Sequence, residues 1–367
     1  MMSVLVGMSG GVDSSAAALM LMPQYQVSGA TMKLFEHTDI CHEGSRTCCA
    51  INDVEDARRV CNRLGIEHHV FNFRDGFHQH VIARFAEGYA QGETPNPCID
   101  CNRFVKFPYL LKRADQLGFD YIATGHYARI SRDGQSGRYL LMRGLDSEKD
   151  QSYVLYAMSQ AELSRTLFPL GNQTKAQIRA LAVEHGLVTA DKPDSQDICF
   201  VPDGNYGAFL TEKMGIPSEP GDVLDESGQI LGRHRGLIHY TIGQRRGLGI
   251  AASTPLYVTG KELSQNTLTL GKSEDLMDDG FIVRDANWIA IKALDAPMDV
   301  TVMTRYRDRE TDALLYPLES GDVFVQLSAA KRAITPGQAA VFYQGDTVIG
   351  GGVISAKIKN GNQIRYV

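Results

Sequence analysis

Three of the chain's seven cysteines lie in sequence contexts that suit thiol chemistry. Cys98 and Cys101 form a CxxC pair in a proline-rich stretch that predicts a rigid loop, and Cys199 follows much later in the chain. A CxxC pair alone is compatible with redox chemistry, half of a zinc site or part of an iron–sulfur site. No second CxxC or paired His follows with zinc spacing, and Pro97 and Asn102 do not suit the helix start of a thioredoxin-like pair.

Sulfur transfer is a further chemistry open to two cysteines that face one site. One thiolate carries the sulfur as a persulfide, and a second thiol releases it by exchange. Cys101 and Cys199 lie in polar, turn-like stretches, which favours such a role over that of incidental buried thiols. Cys61 lies on the apolar face of a predicted helix, where a packed thiol is expected. The remaining cysteines share a loop rich in glycine and charge: Cys41, Cys48 and Cys49.

A second chemical signal is the string GMSGGVDSS at residues 7–15. It follows the apolar run 4–6, which is too short for a helix, and it precedes the helix formers at 16–20. The string therefore predicts a strand-to-helix turn. Glycines let the backbone turn sharply and approach a ligand closely. The free N–H groups and the positive dipole end of the helix favour phosphate at such a turn.

The type of phosphate loop follows from what the string contains. It lacks the Lys of a Walker A loop and the glycine spacing of a dinucleotide fingerprint. SGGVDSS resembles the pyrophosphate loop of the N-type ATP pyrophosphatases, which break the bond between the first and second phosphates of ATP. The resemblance implies that Asp13 holds a magnesium ion on the pyrophosphate. It implies that the pyrophosphate is cradled by Ser9, Gly10, Gly11, Ser14 and Ser15. A plain helix cap is the alternative, but a cap needs neither Ser-Gly-Gly nor two serines.

The elements that must position these residues alternate between strand and helix up to about residue 130. Predicted strands lie at 4–6, 27–34, 69–73 and 121–124. Predicted helices lie at 51–64, 77–89 and 110–117. Such alternation is typical of a parallel sheet covered by helices on both faces. Ligands of such sheets bind at the C-terminal ends of the strands, where Gly7 lies.

The predicted secondary structure of the rest of the chain differs from this alternation. Residues 145–215 are richer in helix signals, and a capping box at 174–177 opens a helix that ends at Gly186. After about residue 216, short β-rich runs alternate with turn signals, which predicts a small barrel or sandwich. We therefore expect an α/β fold in three domains. They are a parallel-sheet ATP pyrophosphatase domain (adenine nucleotide alpha-hydrolase-like) at 1–205, a small mixed domain at 206–275 and a C-terminal β-barrel at 276–367.

Composition restricts the class of protein. The 367 residues are 43% hydrophobic and 22% charged, as in ordinary soluble proteins. No apolar run approaches the ~18 residues of a membrane span, and no leader pattern is visible, so a cytoplasmic protein without membrane contact is expected. Seven cysteines in a reducing compartment favour chemistry or metal binding over a disulfide framework. The net charge of −6 counts mildly against nucleic acid, although basic clusters occur at 233–235 and 245–246.

Longer strings resemble one family from end to end, the bacterial tRNA-specific 2-thiouridylases, which place sulfur on the wobble uridine of certain tRNAs. Their order and spacing together make the match specific. The strings are GMSGGVDSS from Gly7, TPNPCIDCNRFVKF from Thr94, ATGHYAR from Ala123, KDQSYVLY from Lys149, DSQDICFV from Asp194, GLIHYTIGQRRGLGI from Gly236, TRYR from Thr304 and GQAAVFY from Gly337.

The resemblance implies a role for each residue that matches by position. ATP would be bound by Gly7, Met8, Ser9, Gly10, Gly11, Val12, Asp13 and Ser14, with Met32 and Gly125 at the adenine and ribose. Cys101 would be the nucleophile, and Cys199 would carry the persulfide. The flipped target base would meet Asn96, Pro97 and Cys98. Further tRNA contacts would come from His126, Lys149, Asp150, Gln151, Arg305, Tyr306 and Gln338.

The family mechanism joins the two chemical signals. ATP adenylates the C2 oxygen of the uridine, so that AMP becomes the leaving group, and the loop stabilises the expelled pyrophosphate. The Cys199 persulfide supplies sulfur to C2. Cys101 attacks the persulfide or reduces it to hydrosulfide, which leaves a Cys101–Cys199 disulfide. The target base must leave its stack, which a single-stranded anticodon loop makes cheap.

Cys98 departs from some family members, which carry an acidic residue at this position. A thiol titrates near ~8.5 and suits a general acid or base less well. Three thiols can also hold an iron–sulfur cluster with one iron open to sulfide. The disulfide route is favoured here, and a cluster on Cys98, Cys101 and Cys199 is the alternative.

Plainer interpretations and other functions stay open at this point. His126 suits a buried hydrogen bond as well as an RNA contact, and Lys149 with Asp150 suits a solvated loop. GMP, NAD and argininosuccinate synthetases use related loops with other acceptors but do not need Cys101 and Cys199. A non-catalytic RNA-binding protein with an iron–sulfur centre is the third hypothesis. The expected partners are the tRNAs for Glu, Gln and Lys and a cysteine desulfurase or sulfur-relay protein.

Overall fold

A computed structural model describes residues 1–35, 49–187, 189, 198–201, 204–359 and 362–365. The predicted cysteine loop with Cys41 and Cys48, and the start of the DSQDICFV string at 194–197, lie outside the described residues. The chain forms two compact units. The first consists of Met1–Ile82, Cys98–Gly204 and Gly345–Val348, and the second of Ala83–Pro97, Asn205–Gln344 and Ile349–Val367.

The helices and strands have the following bounds. The α-helices are α1 Val12–Leu21, α2 Cys49–Leu64, α3 Arg74–Phe77, α4 Ala83–Ala90, α5 Pro97–Asp100, α6 Phe107–Leu117, α7 Ser152–Leu155, α8 Gln160–Ser164, α9 Lys175–Glu184 and α10 Tyr206–Ala208. Wider π-helical turns occupy His78–Ile82, Cys101–Lys106 and Phe209–Lys213, and 3₁₀ turns occupy Pro169–Asn172, Leu237–His239 and Ser273–Leu276.

The strands are β1 Ser3–Gly7, β2 Gln26–Lys33, β3 His68–Asn72, β4 Tyr121–Ala123, β5 Ala128–Arg132, β6 Tyr139–Arg143, β7 Thr166–Leu167, β8 Gly221–Asp225, β9 Ile230–His234, β10 Tyr257–Glu262, β11 Thr267–Gly271, β12 Met277–Trp288, β13 Met298–Met303, β14 Thr311–Pro317, β15 Val323–Arg332, β16 Ala339–Gln344, β17 Thr347–Lys359 and β18 Asn362–Arg365.

The first unit contains a parallel sheet in the order β3-β2-β1-β4-β7. β1 lies in the middle, and its apolar residues Val4, Leu5 and Val6 have no exposed surface. A parallel strand that is buried on both faces needs such a continuous apolar run. Small residues on α1, from Ala16 to Ala18, let the helix pack closely within the same core cluster. This packing fixes the end of β1 against the start of α1.

The second unit contains two further sheets. One has the order β10-β11-β8-β9. In the other, β12, β15, β14, β13, β16 and β17 pair in that order, and β12 also pairs with β17, so the strands close into a six-stranded barrel. Phe281, Leu315 and Phe342 fill the barrel without exposed surface. The predicted fold class, with a parallel sheet first and a barrel last, is confirmed.

Two local predictions differ from the structure. The prediction of a rigid loop around Cys98 and Cys101 is wrong, because α5 and a π-helical turn occupy this stretch. Pro97 opens α5 at the first helical position, where the N–H that proline lacks would have had no partner. The predicted helix at 77–89 is likewise interrupted by a π-helical turn at His78–Ile82.

The burial of β1 gives a first testable prediction. Leu5→Ala should lower the free energy of unfolding by about 2–5 kcal/mol, because it leaves a cavity in the central strand. Leu117→Ala is the matched control, since Leu117 is 47% exposed at the end of α6 and should change stability by only about 0.5 kcal/mol. Urea unfolding followed by circular dichroism measures both. Equal losses in the two variants would contradict the assignment of β1 to the core.

Candidate nucleotide and thiol site

The turn after β1 depends on glycine. Gly10 has φ +71°, and a Cβ atom there would lie 2.4 Å from the carbonyl oxygen of Asp53. Any other residue would have to displace that backbone. Gly11 is the N-cap of α1 and provides no side-chain cap. The first N–H groups of α1 are therefore free of a side-chain cap and suit an anion.

Serine hydroxyls hold this turn in shape. The Ser9 N–H donates to Ser14 Oγ at 3.1 Å, and Ser14 Oγ donates to the Gly11 carbonyl at 3.1 Å. Ser15 Oγ donates to the same carbonyl at 2.9 Å. Ser14 and Ser15 are buried, whereas Ser9 is exposed. The groups of the loop that a ligand could contact are thus mainly backbone N–H groups and the Ser9 side chain. The buried hydroxyls of Ser14 and Ser15 stabilise the loop through their hydrogen bonds.

Three predicted nucleotide contacts lie where neighbouring strands end. β1 ends at Gly7, β2 carries the half-buried Met32 near its end, and Gly125 follows β4 closely. A Cβ at Gly125 would lie 2.7 Å from the carbonyl carbon of Asp13 and 2.8 Å from the Ser14 nitrogen. Met8 and Val12 are buried and contribute packing within the core cluster. The C-terminal edge of the sheet therefore gathers these residues around the turn.

Asp13 is held by two residues that the sequence reasoning missed. The Tyr127 hydroxyl donates to Asp13 Oδ1 at 2.8 Å, and Lys175 Nζ donates to both carboxylate oxygens at 2.8 Å. A carboxylate has the hard oxygen ligands that magnesium prefers, so Asp13 fits the metal chemically. Both of its oxygens, however, accept hydrogen bonds from Lys175. Tyr127 lies within the ATGHYAR string and Lys175 follows a capping box, but no local pattern links either residue to Asp13.

The pKa values of the three predicted thiols are all raised, and all three are influenced by Lys106. Cys98 and Cys199 are exposed to solvent, and Cys101 is buried. The pKa of the Cys101 thiol is raised to about 11, mainly by burial and to a smaller extent by the charges of Cys98 and Asp100, while Lys106 acts in the opposite direction. Although both residues reach the surface, the surrounding protein withdraws the thiols of Cys98 and Cys199 from water and so raises their pKa values; for Cys199 the charges of Cys101 and Cys98 add to the rise. Lys106 lowers the pKa of all three thiols, so this cation favours the thiolate that sulfur chemistry requires.

The same three thiols are the candidate ligands for an iron–sulfur cluster. Among the described residues, no group of three His, Cys, Asp or Glu side chains is placed to hold a metal ion. Three thiols are chemically suitable ligands for an iron–sulfur cluster, and a cluster on Cys98, Cys101 and Cys199 stays a prediction. Cys101 and Cys199 are both free thiols.

His126 is buried in an aromatic environment. Its Nδ1 lies 2.7 Å from Thr124 Oγ1, and its ring packs against Phe107 and Phe168. Burial lowers its pKa well below the usual value, and Lys106 adds to this effect, so the ring is neutral near pH 7. This geometry agrees with the interpretation of His126 as a buried hydrogen-bonded residue, and its contact with tRNA stays a prediction.

Asp150 and Gln151 support the nucleotide loop. Asp150 accepts hydrogen bonds from the Gly144 N–H and from the N–H and hydroxyl of Ser152, so it fixes the start of α7. The Gln151 side chain accepts from the Tyr127 N–H at 3.0 Å, and the Gln151 N–H donates to the Tyr127 carbonyl at 2.9 Å. Because the Tyr127 hydroxyl binds Asp13, the stretch from Lys149 is connected to the turn after β1.

In the second unit, Gln338 fixes the segment that leads to Asn96 and Pro97. Its Nε2 donates to the Thr94 carbonyl at 2.6 Å, and the Thr94 N–H donates to the Pro336 carbonyl at 2.9 Å. Gln338 thus positions a predicted base-contacting segment through the backbone.

Another part of the second unit combines positive charge with aromatic rings. Arg305 is half-exposed and donates to the Arg332 carbonyl, while Arg307 lies over the Tyr306 ring and Arg332 over the Tyr257 ring. Guanidinium groups beside aromatic rings suit an RNA backbone and its bases.

Three family models match successive parts of the chain. The model described as "tRNA methyl transferase HUP domain" matches residues 2–203, "tRNA methyl transferase PRC-barrel domain" matches 208–272 and "Aminomethyltransferase beta-barrel domain" matches 278–354. The tRNA-specific 2-thiouridylase MnmA of Acetivibrio thermocellus is 50% identical over 96% of this chain and 98% of its own. The chain belongs to the tRNA-specific 2-thiouridylase family. A second member, MnmA 2 of Caldanaerobacter subterraneus, is 48% identical over 97% of this chain and 98% of its own.

A solved structure resembles this family member much more distantly. The U34-tRNA thiolase NcsA from Methanococcus maripaludis, solved with its 4Fe-4S cluster, is 19% identical and has a TM-score of 0.34. The match covers 59% of this chain and 64% of that one, and at this score it supports no conclusion about a cluster here. None of the helices in the described part of the chain has both the length and the apolar character that a membrane span requires.

The position of Lys106 gives a prediction about thiol reactivity. Lys106→Met should raise the pKa of Cys101 further, because it removes the cation that favours the thiolate. Less thiolate is then present at about pH 9, and iodoacetamide should alkylate Cys101 up to about 3-fold more slowly. Peptide mass spectrometry across a pH series measures each cysteine separately. Lys112→Met, an exposed lysine on α6, is the matched control and should leave the profile unchanged. Identical profiles for both variants would show that Lys106 does not act on the thiols.

Proposed function

We propose that this chain uses ATP to replace the C2 oxygen of the wobble uridine in tRNA by sulfur. The observation that carries the proposal is the near full-length identity of 50% to a tRNA-specific 2-thiouridylase, combined with both parts that the chemistry needs. One part is the start of α1, whose N–H groups receive no side-chain cap from Gly11 and suit phosphate. The other is the set of mutually interacting thiols, Cys98, Cys101 and Cys199.

The first chemical step is adenylation of the base. The C2 oxygen of uridine attacks the α-phosphorus of ATP, the bond to the β-phosphate breaks, and pyrophosphate leaves with the bonding electron pair. Backbone N–H groups at Gly11 and at the start of α1 would stabilise the charge that develops on the pyrophosphate. Gly125 packs directly against the backbone of Asp13 and Ser14, where a side chain would clash, so the end of β4 lies beside the turn that would hold ATP. Magnesium, held by Asp13, would neutralise phosphate charge in this step.

Sulfur transfer follows in two balanced steps. The terminal sulfur of a Cys199 persulfide attacks C2. The Cys101 thiolate then attacks the Cys199 sulfur, which breaks the S–S bond, leaves the outer sulfur on C2 and expels AMP with the original oxygen. A Cys101–Cys199 disulfide results, and a thiol reductant regenerates both cysteines. In an alternative order, Cys101 attacks first and releases hydrosulfide, which then attacks C2.

Lys106 has a defined part in this scheme. The raised pKa of Cys101 keeps it protonated near pH 7, so its attack requires loss of the proton. Lys106 is the cation that opposes this rise. Lys106 therefore lowers the cost of forming the Cys101 thiolate that attacks the persulfide.

The finer assignments belong to the same proposal. The substrates would be the tRNAs for Glu, Gln and Lys, and sulfur would come from a cysteine desulfurase or a relay protein in the cytoplasm. Residues 96–98 and the Arg305–Tyr306 region would contact tRNA. The division into domains at 1–205, 206–275 and 276–367 remains a prediction.

The test incubates the protein with ATP, magnesium, cysteine, a cysteine desulfurase and an unmodified tRNA transcript, followed by nucleoside mass spectrometry. We expect ATP-dependent 2-thiouridine, and loss of at least about 100-fold in Cys101→Ser and Cys199→Ser, because each removes a covalent step. Cys61→Ala is the matched control, because Cys61 is a packed core thiol, and it should retain activity.

Several results would contradict the proposal. A methylated nucleoside in place of a thiolated one would support methyl transfer to tRNA, the activity named in the description of the family model that matches residues 2–203. AMP formed only on another acceptor would support a different ligase. No AMP at all would support a non-catalytic RNA-binding protein.

A further inference from the structure

Lys175 forms an ion pair at the turn after β1. Its Nζ lies 2.8 Å from both carboxylate oxygens of Asp13 and 5.9 Å from the centre of the Tyr127 ring. The Lys175 side chain is 10% exposed, whereas that of Asp13 is 32% exposed. Asp13 is therefore the more exposed partner of the pair, and Lys175 is the more buried one.

The fold fixes the position of Lys175 firmly. Thr174 and Gln177 form a complete capping box at the start of α9. The Lys175 N–H also donates to Asp146 Oδ2 at 2.9 Å. Ile178 on α9 lies in the same buried core cluster as the residues of α1. The ammonium group is thus supplied by a helix that is anchored by hydrogen bonds and by core packing.

The negative charge of Asp13 lies where a phosphate would bind, and the positive charge of Lys175 compensates it. Asp13 lies in the first turn of α1, where the free N–H groups would meet the phosphates of ATP. A lone carboxylate there would repel a polyphosphate. At a separation of about 6 Å and an effective dielectric constant of about 20, two unit charges interact strongly enough to change binding about 100-fold.

We propose that Lys175 is a positioning residue of the nucleotide site, which neutralises and orients Asp13 so that the turn can accept the triphosphate. The inference rests on the proposed use of ATP and adds to it a residue on α9. Lys175 acts through Asp13, and Tyr127 assists as a neutral donor. Magnesium bound at Asp13 would share the same task, so the two cations partly replace each other.

The test measures binding of α,β-methylene-ATP, whose α–β bond cannot be split, by calorimetry without tRNA. Lys175→Met should weaken binding about 10- to 100-fold in EDTA, because the Asp13 charge is then uncompensated. Millimolar magnesium should restore part of the affinity, which a purely structural defect would not allow. Lys175→Arg keeps the charge and should bind more tightly than Lys175→Met.

A double-mutant cycle separates the proposed role from a direct phosphate contact. In the Asp13→Asn background, Lys175→Met should have little further effect, because no charge remains to be neutralised. If Lys175→Met alone fails to fold, Lys175→Gln, which also removes the charge but keeps a polar side chain, takes its place in the cycle. Arg165→Met, which breaks the ion pair of Arg165 with Asp115 in the same unit, is the control and should bind like the wild type.

Two results would overturn the inference. The first is wild-type affinity of Lys175→Met in EDTA. The second is an equal loss from Lys175→Met with and without Asp13, which would mean a direct contact with phosphate. Failure of the wild-type protein to bind the nucleotide at all would instead overturn the proposed function itself, and the inference with it.

Discussion

Close packing of backbone against backbone around the first turn is the constraint on which the proposed chemistry depends. A Cβ atom at Gly10 would lie 2.4 Å from the Asp53 carbonyl, and one at Gly125 would lie 2.7 Å from the Asp13 carbonyl carbon. Only glycine allows both approaches. They hold the N–H groups of α1 at the edge of the sheet, where β1 ends. No side chain of the N-cap residue Gly11 occupies these N–H groups, which suits them to an anion.

Charge around this turn is balanced by residues from distant parts of the chain. Asp13 is paired with Lys175 from α9 and is held by Tyr127, which the stretch at 150–151 supports through the backbone. The charge of the thiols is controlled mainly by burial, which keeps their pKa values high, and Lys106 partly offsets this effect. Thiols that stay protonated near pH 7 are protected from unwanted oxidation, because the thiolate is the reactive form.

Local patterns in the sequence were sufficient for part of this account. The short apolar run before Gly7 and the helix formers after the turn identified β1 and α1, and regular turn signals indicated the C-terminal barrel. The helix at Pro97 was missed, because the prolines and asparagines in that stretch outweighed the helix-start preference of proline. Lys175 and Tyr127 were missed for another reason. Pairing with Asp13 depends on tertiary packing over 162 and 114 residues, which no local period encodes.

The central claim is that splitting of ATP between its α- and β-phosphates drives sulfur transfer to tRNA at one site. The most direct measurement is the ratio of products formed from ATP labelled in parallel reactions at the α-phosphate and at the γ-phosphate, with tRNA and a persulfide donor present. The account predicts AMP, pyrophosphate and 2-thiouridine in equal amounts, with no AMP when tRNA is left out. Formation of ADP and phosphate, or of 2-thiouridine without AMP, would contradict it.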